Sequence, residues 1–361
     1  MNVYYSDAHL QHQPPFEIFD GGEKVANFEV PQRMERILAA LRADGRFNIL
    51  PPEDFGPAPL RAVHDESYLS FLRTAFDEWS STPLDADYER HALLPATFPP
   101  AGWRNHVPQS ILGRAGYYMM DLSAPIVAGT YQAALASANC ALTGAKFISS
   151  VNLLQKSVRA SVSPLRPLSA FALCRPPGHH AGRANCGGYC YINNAAVAAH
   201  WLTQFGKIAL LDIDYHAGNG TQDIFYTRSD VLTISIHADP NYEYPYYCGY
   251  PDETGTGEGL GYHHNFPLPP GADDPTYLAT LQTALERIAA YQPSFLVISA
   301  GMDIYGEDPL GKIRVTTAGI AQIGQRIAAL NLPALIVMEG GYNTEALGTN
   351  MRAFLEAFHE N

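Results

Sequence analysis

The stretch from Arg175 to Cys190, RPPGHHAGRANCGGYC, sets two adjacent histidines, His179 and His180, between a Pro-Pro-Gly turn and a run of glycines. Imidazole titrates near neutrality, so a positioned histidine can move a proton at pH 7, an effect worth about 10²–10⁴ in rate. A polar surface loop is the plain alternative for any His pair. The flanking prolines and glycines, which fix the backbone, weigh against it. A second constellation is DIDYHAGNG, carrying Asp212, Asp214 and His216. Alternate residues of an extended strand share a face, and carboxylate plus imidazole is a reasonable divalent-metal set. Strand-end capping explains an isolated D-x-D-x-H about as readily. Asp303 in SAGMD can add a third ligand and leave a position open for water, which marks a catalytic ion. Zinc held this way brings the pKa of its water to roughly 7 and polarises a carbonyl. Asp212 and Asn219 are candidate acceptors for orienting the two histidines. Tyr342 in MEGGYN can offer its phenol to a developing oxyanion, a donor typically worth about 10²–10³ in rate. The chain has 21 tyrosines, so only its company singles Tyr342 out.

These residues follow five short apolar runs, FALC, IALLDI, VLTISI, FLVISA and ALIVM, each leading into a polar, glycine-bearing segment. The runs alternate with amphipathic stretches such as NNAAVAAHWLTQF and TYLATLQTALERIAAY. That alternation predicts an α/β fold, a single domain with a mostly parallel multi-stranded sheet and helices on both faces. Ligands of such sheets bind beyond the carboxyl ends of the strands, so the five termini are expected to converge. Upstream, PQRMERILAALRAD and SYLSFLRTAFDEWS read as helices, Thr130 to Ile148 as a long Ala-rich helix, and Ser149 to Leu168 as a connection. TEALGTNMRAFLEAF reads as a closing helix, and the Pro-rich region at about 81–110 as a loop excursion from one domain spanning 1–361.

Composition narrows the partners. A formal net charge of −13 repels phosphate backbones and anionic lipid, which excludes nucleic acid and membrane and suits neutral or cationic substrates. MNVYYSDAHLQHQPPFEIF lacks the basic start and apolar segment of a signal peptide, so a cytoplasmic chain is expected. Five cysteines without even spacing argue against a disulfide framework. Cys186 and Cys190 are not spaced as a zinc knuckle and read as packing residues.

Taken together, RPPGHHAG, GGYCYINNAAVAA, DIDYHAGNGTQDIF, SAGMDIYGEDP and EGGYN, in this order, resemble the histone deacetylase and acetylpolyamine amidohydrolase family. VHDESYL near Val63 and the amino-terminal GGE…VPQRMERI carry the resemblance over nearly the whole chain. The Pro-rich excursion before GYYMMDLSAPIVAGTYQAAL makes it nearest to the bacterial acetylpolyamine amidohydrolases. The resemblance implies the arginase/deacetylase fold and an ion, zinc or ferrous iron, on Asp214, His216 and Asp303. It implies that His180 acts as general base and then acid, with His179 beside it, Asp212 and Asn219 as their respective partners, and Tyr342 polarising the acetyl carbonyl. It further implies potassium at Asp212, Asp214, His216 and Ser235, a substrate tunnel at Tyr189, Tyr244, Gly188 and Leu310, and a homodimer formed through the extra loop. The implied reaction removes acetyl groups from amines, with acetylpolyamines ahead of acetyl-lysine proteins. An arginase-like two-metal ureohydrolase would need aspartates that Asn219 and the SAGMD strand do not supply. A non-catalytic binder of acylated amines would not need the full reactive set.

The sequence departs from this pattern in three places. Ala217 stands where many relatives carry a second histidine that is not a ligand, so metal binding is expected to survive. The acetylpolyamine enzymes present carboxylates near the tunnel mouth, where SILGRAGYYMMDLSAPI offers only Asp121. Leu310 stands where the animal polyamine deacetylase has a glutamate, and the nearby Glu307 and Asp308 read as solvated loop acids.

Overall fold

A computed structural model describes residues 1–83, 90–100, 102–157 and 167–360. Its strands are β1 (Asn2–Tyr4), β2 (Glu17–Phe19), β3 (Glu23–Val25), β4 (Asn48–Leu50), β5 (Ser169–Ala172), β6 (Ile208–Asp212), β7 (Val231–Ala238), β8 (His263–Leu268), β9 (Phe295–Ala300) and β10 (Ala334–Met338). Eight of them form one sheet in the order β4-β1-β5-β10-β9-β6-β7-β8, with every pairing parallel. The remaining two, β2 and β3, make a separate antiparallel hairpin. β6, β7, β9 and β10 are buried along their whole lengths, as apolar strands covered on both faces must be. β1, β4 and β8 were not among the five apolar runs. Two of them are three-residue strands, too short to show a period, and HHNFPL of β8 is half polar.

The order of strands decides where a ligand goes. After β5 the chain skips two positions to β6, continues outward through β7 and β8, then returns to fill the gap with β9 and β10. The crevice at such a reversal lies beyond the carboxyl ends of β5, β10, β9 and β6, which lead into the histidine pair, Tyr342, Asp303 and Asp212 respectively.

The helices are α1 (Gln32–Asp44), α2 (Glu66–Ser81), α3 (Ile111–Tyr118), α4 (Thr130–Ser157), α5 (Asn194–Leu202), α6 (Asn219–Phe225), α7 (Asp274–Tyr291), α8 (Thr317–Ala328) and α9 (Leu347–Glu360). In one layer α4 and α5 pack together, α4 against β1, β5 and β10 and α5 against β6 and β9. In the other, α7 packs on α8, α8 on α9 and α9 on α1. Side-chain caps start three helices. Asn193 accepts from Ala196 N at 2.9 Å before α5, Asp273 from Thr276 N at 3.1 Å before α7, and Thr316 from Gly319 N at 3.0 Å before α8. Each is worth about 1 kcal/mol.

α4 runs past Ile148 to Ser157, so the first part of the expected connection is helical. Leu, Gln and Lys in VNLLQKS are good helix formers and nothing there breaks the turn. The rest of that connection, 158–166, lies outside the described residues. Between α2 and α3 the described residues of the Pro-rich excursion form no helix or strand, only a bridge from Leu93 to Ile126; 84–89 and 101 lie outside the description. No helix among the described residues is long and apolar enough to cross a membrane.

Candidate active site

β6 stops at Asp212 and the chain bends, so Asp212, Asp214 and His216 do not share the face of one extended strand as their spacing suggests. Backbone amides aim them instead. Asp212 Oδ1 accepts from Asp214 N at 3.0 Å, and Asp214 Oδ1 from His216 N at 2.9 Å, the acid-to-i+2 turns that short carboxylates favour. From the neighbouring strand end, Asp303 Oδ1 accepts from Tyr215 N at 3.0 Å. The outcome is a cluster in which ligand atoms of Asp214, His216 and Asp303 lie within 4.8 Å of one another. His216 Nδ1 is 3.3 Å from both Asp214 Oδ1 and Asp303 Oδ2.

This cluster fits a divalent cation. Asp303 Oδ2 is buried without a hydrogen-bond partner, and burial together with the Asp214 charge pushes the Asp303 carboxyl up to about 7. Burial likewise pushes Glu339 up to about 7. Buried, undercompensated acid beside an imidazole is the donor set of a zinc-type site. Gly340 is required beside it, because a Cβ there would run into the Asp303 and Asp214 carboxylates, and its N–H donates to Asp214 Oδ2 at 2.8 Å. His179, Cys190 and Glu339 also lie close together, but His179 Nδ1 is engaged by Asp212, and Glu339 Oε2 accepts from Gly178 N and His179 N.

The adjacent histidines have opposite proton affinities. His179 Nδ1 donates to Asp212 Oδ2 at 2.9 Å. Burial works against a charge on it, but Asp214 and Asp212 outweigh burial and hold its pKa well above the usual value. Burial, then the neighbouring His179 and His216, push His180 well below it. His180 Nδ1 is 2.6 Å from Asn219 Oδ1, an acceptor, so the proton sits on Nδ1 and Nε2 keeps its lone pair. Tyr342 is buried and its phenol is pushed well up, so it stays a donor. Its N–H is fixed by Asp308 Oδ2 at 2.7 Å, and the Arg33 guanidinium lies over its ring at 4.9 Å.

A cavity of about 430 Å³ opens onto this floor, which presents His180, His216 and Tyr342. Tyr189 and Tyr244 line it, Tyr189 packing on Tyr342 and Tyr244 edge-on to His180. Gly188 lies against His180 at φ 51°, where a Cβ would strike the imidazole. Leu310 is also in the lining, together with Asp121, Glu243, Lys312 and, from the excursion, Phe98. Ser235 pairs in register with Asp212 across β6 and β7, and its hydroxyl is 2.7 Å from His237 Nδ1.

A histone deacetylase domain model matches residues 27–358 of this sequence. The chain belongs to the histone deacetylase family. Acetylpolyamine amidohydrolase 1 and 2 of Pseudomonas aeruginosa are 44% and 43% identical to it, covering 98% and 99% of this chain and 97% and 98% of their own. The crystal structure of an acetylpolyamine aminohydrolase from Burkholderia pseudomallei superposes with a TM-score of 0.90 at 39% identity, covering 100% of this chain and 99% of the other.

Three residues of this family member, Glu339, Arg33 and Glu243, escaped the sequence reading, and a fourth, Asp308, differs from it. Glu339 sits inside MEGGYN, yet its acceptor role toward Gly178 and His179 depends on a different strand end. Asp308 is not a solvated loop acid but is buried, accepting from Tyr342 N, Asn343 N and Leu310 N; Glu307 is exposed as expected. Arg33, fully buried, pairs with Glu29 and donates to Gly341 O and Glu339 O, tying α1 to the Tyr342 loop. Glu243 lines the cavity from a loop that carries no motif.

Proposed function

We propose that this histone deacetylase family member is a metal-dependent amidohydrolase that removes acetyl groups from acetylated amines, acetylpolyamines first. The observation that carries the reading is His180 on the cavity floor, neutral and with Nε2 unprotonated, beside the Asp214, His216 and Asp303 cluster. The substrate class is supported by full-length similarity to proteins named acetylpolyamine amidohydrolases.

Asp214, His216 and Asp303 would hold the ion, zinc or ferrous iron, which when bound supplies Lewis acidity toward the amide carbonyl and acidifies a water. In the proposed reaction His180 Nε2 takes a proton from the attacking water, while Asn219 keeps the ring in the tautomer that can accept it. Tyr342 Oη donates to the carbonyl oxygen as it gains charge, and the buried site makes that bond count for more than it would in water. His180 then returns the proton to the leaving nitrogen, so amide plus water gives acetate and free amine. His179, charged between Asp212 and Asp214, stabilises the negative floor and disfavours a lasting second charge on His180. Tyr189 and Tyr244 would flank the alkyl chain, with Gly188 and Leu310 leaving it room.

Potassium would be held by Asp212, Asp214, His216 and Ser235 at the adjoining ends of β6 and β7, a reading supported by the surplus of buried carboxylate there. We also read the chain as a cytoplasmic homodimer that pairs through the excursion. Five free cysteines agree with a reducing compartment, and Trp103, 76% exposed on the excursion, with a contact surface.

Acetate and free amine released from N-acetylputrescine test the reading. Stoichiometric release by zinc-loaded protein, abolished by a chelator and restored by zinc, is expected. Binding of N-acetylputrescine without acetate release would contradict it, as would manganese-dependent urea release from a guanidino substrate.

A further inference from the structure

We propose that Glu243, paired with Lys312 at the mouth of the cavity, selects a cationic amine as the substrate of this chain, with Lys312 as a resident ammonium that the substrate displaces. This rests on the reading of the protein as a deacetylase of acetylated amines. Three side chains in the cavity lining other than histidine carry formal charge, namely Asp121, Glu243 and Lys312. Asp121, the acid that the sequence offers for this purpose, is already committed. Its Oδ2 accepts from Tyr244 Oη and Gly188 N, both at 2.7 Å, and its Oδ1 from Ser123 N at 2.9 Å. These bonds fix the tunnel walls and leave Asp121 little capacity for a ligand.

Glu243 is held differently. Its Oε1 accepts from Lys312 Nζ at 2.5 Å, and the two side chains are 12% and 63% exposed respectively. The carboxylate is therefore largely buried in the rim, while its cation reaches it from solvent on a flexible stem. Water reaches the ammonium and screens the pair, so another cation can compete for the carboxylate. The buried Tyr215 hydroxyl lies beside Glu243 and is a neighbour of its carboxylate. A largely buried carboxylate at a cavity rim is a place for a donor-rich cation. Leu310, also in the lining, is apolar and offers no competing charge. Lys312 itself demonstrates the chemistry, because an alkylammonium in the cavity mouth is what the rim already binds. A substrate entering acetyl end first brings its amide to the floor and leaves its trailing ammonium near this rim, where it replaces Lys312 and the lysine turns to water.

The test compares a series of monoacetylated diamines of increasing length with neutral N-alkylacetamides of matching length, using zinc-loaded full-length protein. The ratio of kcat/KM for the cationic over the neutral member is taken within each preparation, so a partly misfolded fraction cancels. In wild type the ratio is expected to favour the diamine at the length that reaches the rim. Glu243→Gln is expected to lower that ratio by about tenfold, the scale of one hydrogen bond to a charged group. Lys312→Met is expected to raise it, because the carboxylate loses its resident partner. An unchanged ratio in Glu243→Gln, or a fall in Lys312→Met, would overturn the proposal while leaving the deacetylase reading intact. No turnover of either substrate class by wild type would overturn that reading and this inference with it.

Discussion

At the floor of the cavity His179, His180, Asp212, Asp214 and Tyr342 are buried, and each is fixed by a hydrogen bond to another strand end or its loop. At the mouth Glu243 and Lys312 meet as a half-solvated pair, in a lining that also holds Phe98 and Leu310. Both regions use charge, but in different dielectric surroundings. Buried groups interact strongly and tolerate no loss of a partner, whereas a pair open to water is weak and exchangeable. The floor is therefore suited to chemistry that is the same for every substrate, and the mouth to choosing among substrates. Changes at the floor should reduce turnover by orders of magnitude, and changes at the mouth should alter preference only.

The sharpest way to break this division is at His180. His180→Ala is expected to lower kcat by about 10³ with bound zinc retained, because proton transfer is lost but the ligand set is not. Metal analysis alongside steady-state kinetics checks it; a variant that loses its zinc would move His180 into the metal site. Tyr342→Phe removes one hydroxyl and keeps the ring over Arg33, so kcat should fall by about 10²–10³, again with full zinc. A variant with wild-type turnover would take the phenol out of the reaction.

Glu17 lies beside the cavity and gives a smaller effect, on stability. It is fully buried on β2, next to Ile18 and Phe19 of the cavity lining and close to the Tyr189 phenol. Burial raises its carboxyl from 4.5 to about 7. Below about pH 4.5 it is protonated in both the folded and unfolded chain and costs nothing. As pH rises toward 7 the unfolded chain ionises first, so stability falls through that window and stays lower above it. Glu17→Gln, which still offers an oxygen to Phe28 N, should therefore raise stability at pH 8 by on the order of 3 kcal/mol and lose that advantage at pH 4. Thermal unfolding of both proteins at the two pH values measures it.

The same division governs what could be read from the sequence. Burying an acid or an imidazole demands particular neighbours, and glycines such as Gly188 and Gly340 where no Cβ fits. Those demands leave motifs, so the family, the fold and the residues that meet at the floor were legible. Less was legible where one strand end serves another. Glu339 accepts from residues 161 and 160 positions away, and Asp308 differs from its exposed neighbour Glu307 only in where the loop folds. The Glu243–Lys312 pair left no signal, since the two are 69 residues apart and make no pattern in either segment. The strand at Asp212 was read one bend too long, because the D-x-D-x-H spacing fits turns stabilised by backbone amides as well as an extended chain.

The most direct measurement is kcat/KM for acetate release from N-acetylputrescine, acetylspermidine and an acetyl-lysine peptide by the zinc-loaded protein. The two polyamines should be turned over with clearly higher kcat/KM than the peptide. A peptide preferred over both would leave the floor chemistry standing and contradict the assignment of acetylpolyamines as substrate.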